Sequence, residues 1–222
     1  MTESSQNITA EPLPGYLDKR YRRWLDSDFA ENKAWFAHLA EMGQHPRAMV
    51  IQCCDSRVNA VQMFGAEPGD LFVVRNVANL VPPYNPDHQH HGTSAAVEYA
   101  VGILKVAHII VVGHSNCGGA RACYDMCAGH APQLEETSSF IGRWMDILRP
   151  SYASVIERVT GEEAQKTEME REAVLTSLRN LLGFPFVAKA VEEGTLTLHG
   201  TWLDIADGTL HIWSEETSFQ PI

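Results

Sequence analysis

The stretch "VAHIIVVGHSNCGG", residues 106–119, constrains this chain more than any other. Its residues Ile109–Val112 form a continuous apolar run, every member β-branched. That pattern suits a strand buried on both faces of a parallel sheet. A similar run, "AMVIQC", ends at Cys53, and a third, centred on Leu71–Val74, follows the Pro-Gly turn in "EPGDLFVVRNVANLV". The segments between them, "NAVQMFG" and "TSAAVEYAVGILK", carry helical spacing, the latter with Thr93 or Ser94 near its N-terminus. This β-α-β-α-β order predicts an α/β fold: a doubly wound, mostly parallel sheet in the order 2-1-3-4, flanked by helices. "TLTLHGTWLDIADGTLHIWS" predicts a closing hairpin turned at Asp-Gly, which adds an antiparallel edge strand. Residues 133–192 read mainly as helices.

No linker or internal repeat interrupts the chain, so residues 1–222 read as a single domain. Residues 1–14 are polar, with two prolines, and are expected to be a flexible lead-in. Residues 15–42 form a helical arm: Tyr21, Trp24, Leu25, Phe29, Trp35, Phe36 and Leu39 fit two amphipathic helices with a break near "DSD". Such helices either cover the core or pack on a second subunit. At 222 residues and 45% hydrophobic content the chain can build a substantial core without staples. The net charge of −11 and pI near 5.3 argue against nucleic acid or an anionic membrane as partner. No run approaches the ~18 apolar residues of a membrane span. The first residues lack the basic and apolar regions of a secretory signal. Five cysteines, an odd number, argue for reduced thiols and a cytoplasmic location rather than a disulfide framework.

Polar residues cluster where the apolar runs end. Cys53-Cys54-Asp55-Ser56-Arg57 follows the first predicted strand, Arg75-Asn76 the second, and His114-Ser115-Asn116-Cys117-Gly118-Gly119 the third. Parallel sheets bind ligands beyond the carboxyl ends of their strands, where strand order reverses. In a 2-1-3 order the first and third strands are neighbours there, about 4.8 Å apart. Alternation along an extended chain favours Cys53 over Cys54 as a ligand, because Cys53, Asp55 and Arg57 share one side. Cys54 is assigned to the core. His114 and Cys117, three apart at a turn into a helix, can converge on the same point. Cys53, His114 and Cys117 make a Cys₂His set, and three protein ligands with one open position is the pattern of catalytic zinc. Cys123 and Cys127, four apart on a helix, read as packing. His88, His90 and His91 read as a solvated loop, and Arg75 with Asn76 as support for the loop beside the site.

"CCDSR", "RNVAN" and "GHSNCGG" in this order resemble the signature of the β-class carbonic anhydrases, Cys-x-Asp-x-Arg followed by His-x-x-Cys. The likeness runs from about Gly43 to residues 199–208. It implies one Zn2+ per chain on Cys53, His114 and Cys117, a catalytic Asp55–Arg57 pair, and an obligate homodimer or higher assembly with the site near the subunit boundary. It further implies Gln44 as an amide binding substrate oxygen across the dimer, Phe72, Val77 and Tyr99 as an apolar wall, and Gly118 as a backbone N–H donor to the bound anion. Val50 and Leu203 stand where one branch of the family places the Trp and Tyr of a second, inhibitory bicarbonate site. The chain therefore resembles the branch without that site.

The implied activity is a zinc lyase hydrating CO2 reversibly to bicarbonate and a proton by zinc-bound hydroxide. Carbon disulfide or carbonyl sulfide would suit the same site, since substrate choice there depends on access. A non-catalytic zinc-stabilised module would need neither Asp55 nor Arg57. A thiol redox protein is disfavoured by the lack of Cys-x-x-Cys.

Overall fold

The computed structural model describes residues 10–86 and 92–222, so the expectation for His88, His90 and His91 lies outside the described residues. The chain divides into two compact units, residues 1–44 and 45–222. In the first, helix α1 (Gly15–Trp24) runs through a π-helical turn, Leu25–Phe29, and a short break to α2 (Lys33–Met42). The π turn falls on the expected "DSD" interruption. Trp24, Phe29 and Phe36 pack their rings 5.2–5.7 Å apart, which ties the two helices together.

The second unit holds a six-stranded sheet: β1 (Ala48–Cys53), β2 (Leu71–Asn76), β3 (His108–His114), β4 (Thr197–Leu203), β5 (Leu210–Ser214) and β6 (Ser218–Pro221). Their order is β2-β1-β3-β4-β5-β6; the first four are parallel, and β5 and β6 antiparallel. The expected 2-1-3-4 order and closing hairpin are both present. The final strand β6 was not anticipated. It is four residues long, buries only Phe219 and ends in proline, so it carries no pattern of its own and forms by pairing with β5.

The helices of this unit are α3 (Ala60–Met63), α4 (Gly92–Glu98), α5 (Gly118–Cys127), α6 (Phe140–Met145), α7 (Pro150–Arg158), α8 (Glu162–Leu182) and α9 (Pro185–Glu192). No single described helix is long and apolar enough to cross a membrane. Strand alternation divides the core. Met49, Ile51, Ile109, Val111 and Trp202 face one way and pack with Val174, Leu178 and Leu181 of α8 and Val187 of α9. Val50 and Val112 face the other way, against Val58 and Ala60. Of the described helices in this unit only the short α3 contributes to that second cluster. Its rim residues Leu71, Val73, Ile110 and Leu203 are half-buried.

Helix α8 lies close against β3 and β4 because two strand positions lack side chains. A Cβ on Gly113 would sit 2.6 Å from Val174 Cγ2, and one on Gly200 2.9 Å from Leu178 Cδ1. Gly113 immediately precedes His114, so this contact fixes the strand end that carries a predicted metal ligand.

Candidate metal centre

Cys53 is the last residue of β1, His114 the last of β3, and Cys117 the residue that opens α5. Asn116, with φ +56°, makes the sharp turn that brings Cys117 back beside the strand ends. The ligand atoms of all three side chains lie within 4.8 Å of one another, and all three residues are buried. The two sulfurs are 3.9 Å apart. Zn–S bonds of about 2.3 Å at a tetrahedral angle would separate them by about 3.8 Å. His114 Nδ1 donates to the Ser115 carbonyl at 2.9 Å, which leaves its other nitrogen as the acceptor. That Nε2 is buried with no hydrogen-bond partner. A buried lone pair without a donor is costly. A metal ion satisfies it.

The electrostatics agree. The N–H groups of Asp55 and Ala78 point at Cys53 Sγ, and those of Gly119 and Ala120 at Cys117 Sγ. Ala78 reaches Cys53 from a left-handed conformation, φ +62°, unusual for a residue with a side chain. Hydrogen bonding from Cys117, reinforced by the two N–H groups, pulls the Cys53 thiol down to about 4. Cys117 is pushed up, first by its bond to Cys53 and then by burial. The pocket thus accommodates one thiolate readily and resists a second. Burial opposes protonation of His114, but Cys53 and the Ser115 carbonyl outweigh it and the net shift is upward. A divalent cation relieves all three tensions at once, neutralising two thiolates and using the free imidazole nitrogen. This donor set fits Zn2+ and leaves a fourth position open.

Beside the centre, Arg57 grips Asp55 with both arms of its guanidinium. Nε donates to Oδ1 at 2.9 Å and Nη2 to Oδ2 at 2.7 Å, while the Arg57 N–H also donates to Oδ1 at 2.9 Å. The same Nη2 donates to the Asn116 carbonyl at 3.1 Å, linking the β1 loop to the β3 loop. The Arg57 guanidinium, helped by its N–H, holds the Asp55 carboxyl well below the usual carboxylate range. Arg75 secures the loop from behind, donating to the carbonyls of Cys53, Asp55 and Val58 at 3.1, 2.7 and 2.8 Å. Asn76 closes the neighbouring turn through two bonds to Leu80. Arg75 and Asn76 therefore support the loop, as their positions suggested.

Other expected residues fall in different places. Val77 follows β2 directly, and Trp144 Nε1 donates to its carbonyl at 2.8 Å. With Cys54, Asn76, Phe140, Ile141 and Trp144, Val77 lines an apolar groove of about 380 Å³. Cys54 is exposed there and not in the core. The chain leaves the sheet at Cys53, so alternation turns the next side chain out of the sheet and into an open groove walled by α6. Gly118 sits in the first turn of α5, where N–H groups lack intrahelical acceptors. Gly119 is required sterically, since a Cβ there would come within 2.7 Å of Val77 Cγ1. Phe72 and Tyr99 stack at 5.9 Å, but Phe72 pairs with Met49, four residues short of the strand ends. At about 3.3 Å per residue this is about 13 Å from the carboxyl edge. Gln44 is exposed in the N-terminal unit. Cys123 is buried and Cys127 half-buried in α5, both as packing residues.

Glu170, on α8, was not anticipated. It is 1% exposed, and its Oε1 accepts from the Cys117 N–H at 3.2 Å and from Arg121 Nε at 2.9 Å. Burial raises its pKa and the Arg121 pair only partly offsets that. The readable signal was an acid on the otherwise buried stripe Met169, Ala173, Val174, Ser177, Leu178 and Leu181.

A parallel sheet presenting a Cys₂His set with an adjacent acid–arginine pair at its carboxyl edge is a candidate metal centre whose donors suit Zn2+. The carbonic anhydrase family model matches residues 48–210. The chain is 34% identical to β carbonic anhydrase 3 of Arabidopsis thaliana, over all of this chain and 85% of the relative. Its fold is similar to that of the β-carbonic anhydrase CcaA, with a TM-score of 0.83 at 30% identity, covering 94% of this chain and 91% of the other. A tetrameric β-carbonic anhydrase from Sordaria macrospora gives 0.75 at 30% identity, covering 89% and 95%. This chain belongs to the β-class carbonic anhydrases.

Proposed function

We propose that the chain catalyses the reversible hydration of CO2 to bicarbonate and a proton, with Cys53, His114 and Cys117 holding one Zn2+. The observation that carries this is the meeting of two sulfurs and an unpartnered imidazole nitrogen beside an ionised, arginine-clamped aspartate. Zinc, when bound, supplies Lewis acidity that lowers the pKa of coordinated water from 15.7 to about 7.

The chain's own groups supply orientation. Arg57 bonds both Asp55 oxygens and so keeps the carboxylate ionised and fixed in place. Asp55 retains one free acceptor position, on Oδ2, and accepts a hydrogen bond there from the incoming water, directing that oxygen toward the carbon of CO2. Val77 and the groove beside it offer an apolar approach for a linear, uncharged substrate. The Gly118 N–H donates to the developing bicarbonate anion. Strand register sets Phe72 four residues from the strand ends, which supports its reaching the centre of a second copy together with the stacked Tyr99, and Gln44 is the amide implied across the same boundary. The tetrameric Sordaria relative supports such an assembly. Five free thiols support a reducing, cytoplasmic setting.

Stopped-flow CO2 hydration on protein stripped of metal, and on the same protein reloaded with zinc, tests the proposal. Activity should be absent in the first and restored in the second. One zinc per chain with no CO2 hydration would overturn the assignment.

A further inference from the structure

The amino ends of β3 and β4 lie at the edge of the sheet opposite the Cys₂His centre. The parallel register sets His108 against Thr197 and Ile110 against His199. Alternation then places His108, Thr197 and His199 on one face, the one that α8 does not cover. His108 Nδ1 and His199 Nε2 are 3.3 Å apart. Thr197 Oγ1 lies 2.7 Å from the first and 2.9 Å from the second. His108 is half-buried, and Thr197 and His199 are exposed. Six residues of strand, about 20 Å, separate His108 from His114.

We propose that His108 and His199 form a second site for a divalent transition metal, separate from the catalytic centre. Zn–N bonds of about 2.0–2.1 Å at a tetrahedral angle separate two imidazole nitrogens by about 3.3–3.4 Å. The strands already hold the pair at that spacing, so binding needs no backbone movement. Metal ligation requires neutral imidazole. Burial, and then the nearby His108, depress the pKa of His199, which keeps it ligand-competent at neutral pH. No third His, Cys or carboxylate joins the pair among the described residues. The remaining positions therefore go to solvent and the Thr197 hydroxyl. Imidazole donors with open positions select late first-row ions such as Zn2+, Cu2+ and Ni2+ over Mg2+ or Ca2+. A bound ion would bridge β3 and β4 where each strand begins. By contrast, the cluster of Asp125, His130 and Glu162 is already neutralised by Lys166, at 3.0 Å from Asp125 and 2.8 Å from Glu162.

The test is isothermal titration of the zinc-replete enzyme with Ni2+ alone. Wild-type protein should show a Ni2+ site that His108→Ala and His199→Ala each weaken about tenfold or more. Both variants should keep one zinc and full CO2 hydration. If either alanine variant misfolds, His108→Gln and His199→Gln keep a polar partner for Thr197 and should lose the same binding. Ni2+ held equally by wild type and folded variants would belong to other histidines and overturn the proposal. So would a wild-type enzyme that binds no Ni2+ while retaining its zinc.

Discussion

Two carboxylates share Arg121, and their unequal burial yields a sharp prediction. Glu170 is 0% exposed in its side chain and Glu163 75% exposed, yet each accepts a bond of 2.8–2.9 Å from the same guanidinium. Replacing Glu170 by Gln keeps its shape and removes its charge. Arg121 then loses a charge-assisted bond of about 1.5–3 kcal/mol in its buried half. The new NH₂ group points where Oε2 has no partner, and an unsatisfied buried donor costs about 1–3 kcal/mol. The sum, about 2.5–6 kcal/mol, brackets the roughly 3–5 kcal/mol cost of breaking a buried pair from one side. Divided by a urea m-value of about 3 kcal/mol/M for a chain of this size, it lowers the unfolding midpoint by about 0.8–2 M. Glu163→Gln removes only a solvent-screened partner and should change stability by less than about 0.5 kcal/mol. Urea titrations of both zinc-loaded variants, followed by tryptophan fluorescence, measure the difference. Equal midpoints would refute the claim that burial of Glu170 braces the Cys117 end of the centre.

Asp55→Asn should retain one zinc per chain and lose CO2 hydration by about 10²-fold or more, read by stopped flow and metal analysis. Because Arg57 depresses the Asp55 pKa in the folded state, the stabilisation it brings is complete above the unfolded value of about 3.9 and lost as pH falls toward the folded one. The stability gap between wild type and Asp55→Asn should thus hold at pH 7 and shrink below about pH 4 in urea melts. Metal removal leaves a Cys53 thiolate 3.9 Å from the Cys117 thiol, so hydrogen peroxide should join them as a disulfide in stripped protein and not in zinc-loaded protein. Peptide mapping under non-reducing conditions detects the cross-link.

The metal centre was legible because each ligand sits in a short local motif at the end of an apolar strand. Strand order then needed only one rule to bring Cys53 and His114 together. Cys54 lies outside the core because alternation gives direction but not cover: it turns into a groove that α6 walls but does not fill. The strand β6 was invisible since its pairing, not its composition, makes it a strand. Glu170 lies 53 residues from Cys117, and only the packing of α8 on α5 joins them. His108 and His199 escaped notice for the same reason: each is an ordinary strand residue until the β3–β4 register sets them 3.3 Å apart. Phe72 and Tyr99 stand out by resemblance alone, and the distance of Phe72 from the strand ends is legible only in the β1–β2 register.

X-ray absorption at the zinc edge tests the central claim most directly. The account predicts two sulfur scatterers near 2.3 Å and light N/O scatterers near 2.0–2.1 Å, one of them an imidazole lost in His114→Ala. A zinc shell with no sulfur, or one unchanged in Cys53→Ser, would contradict it.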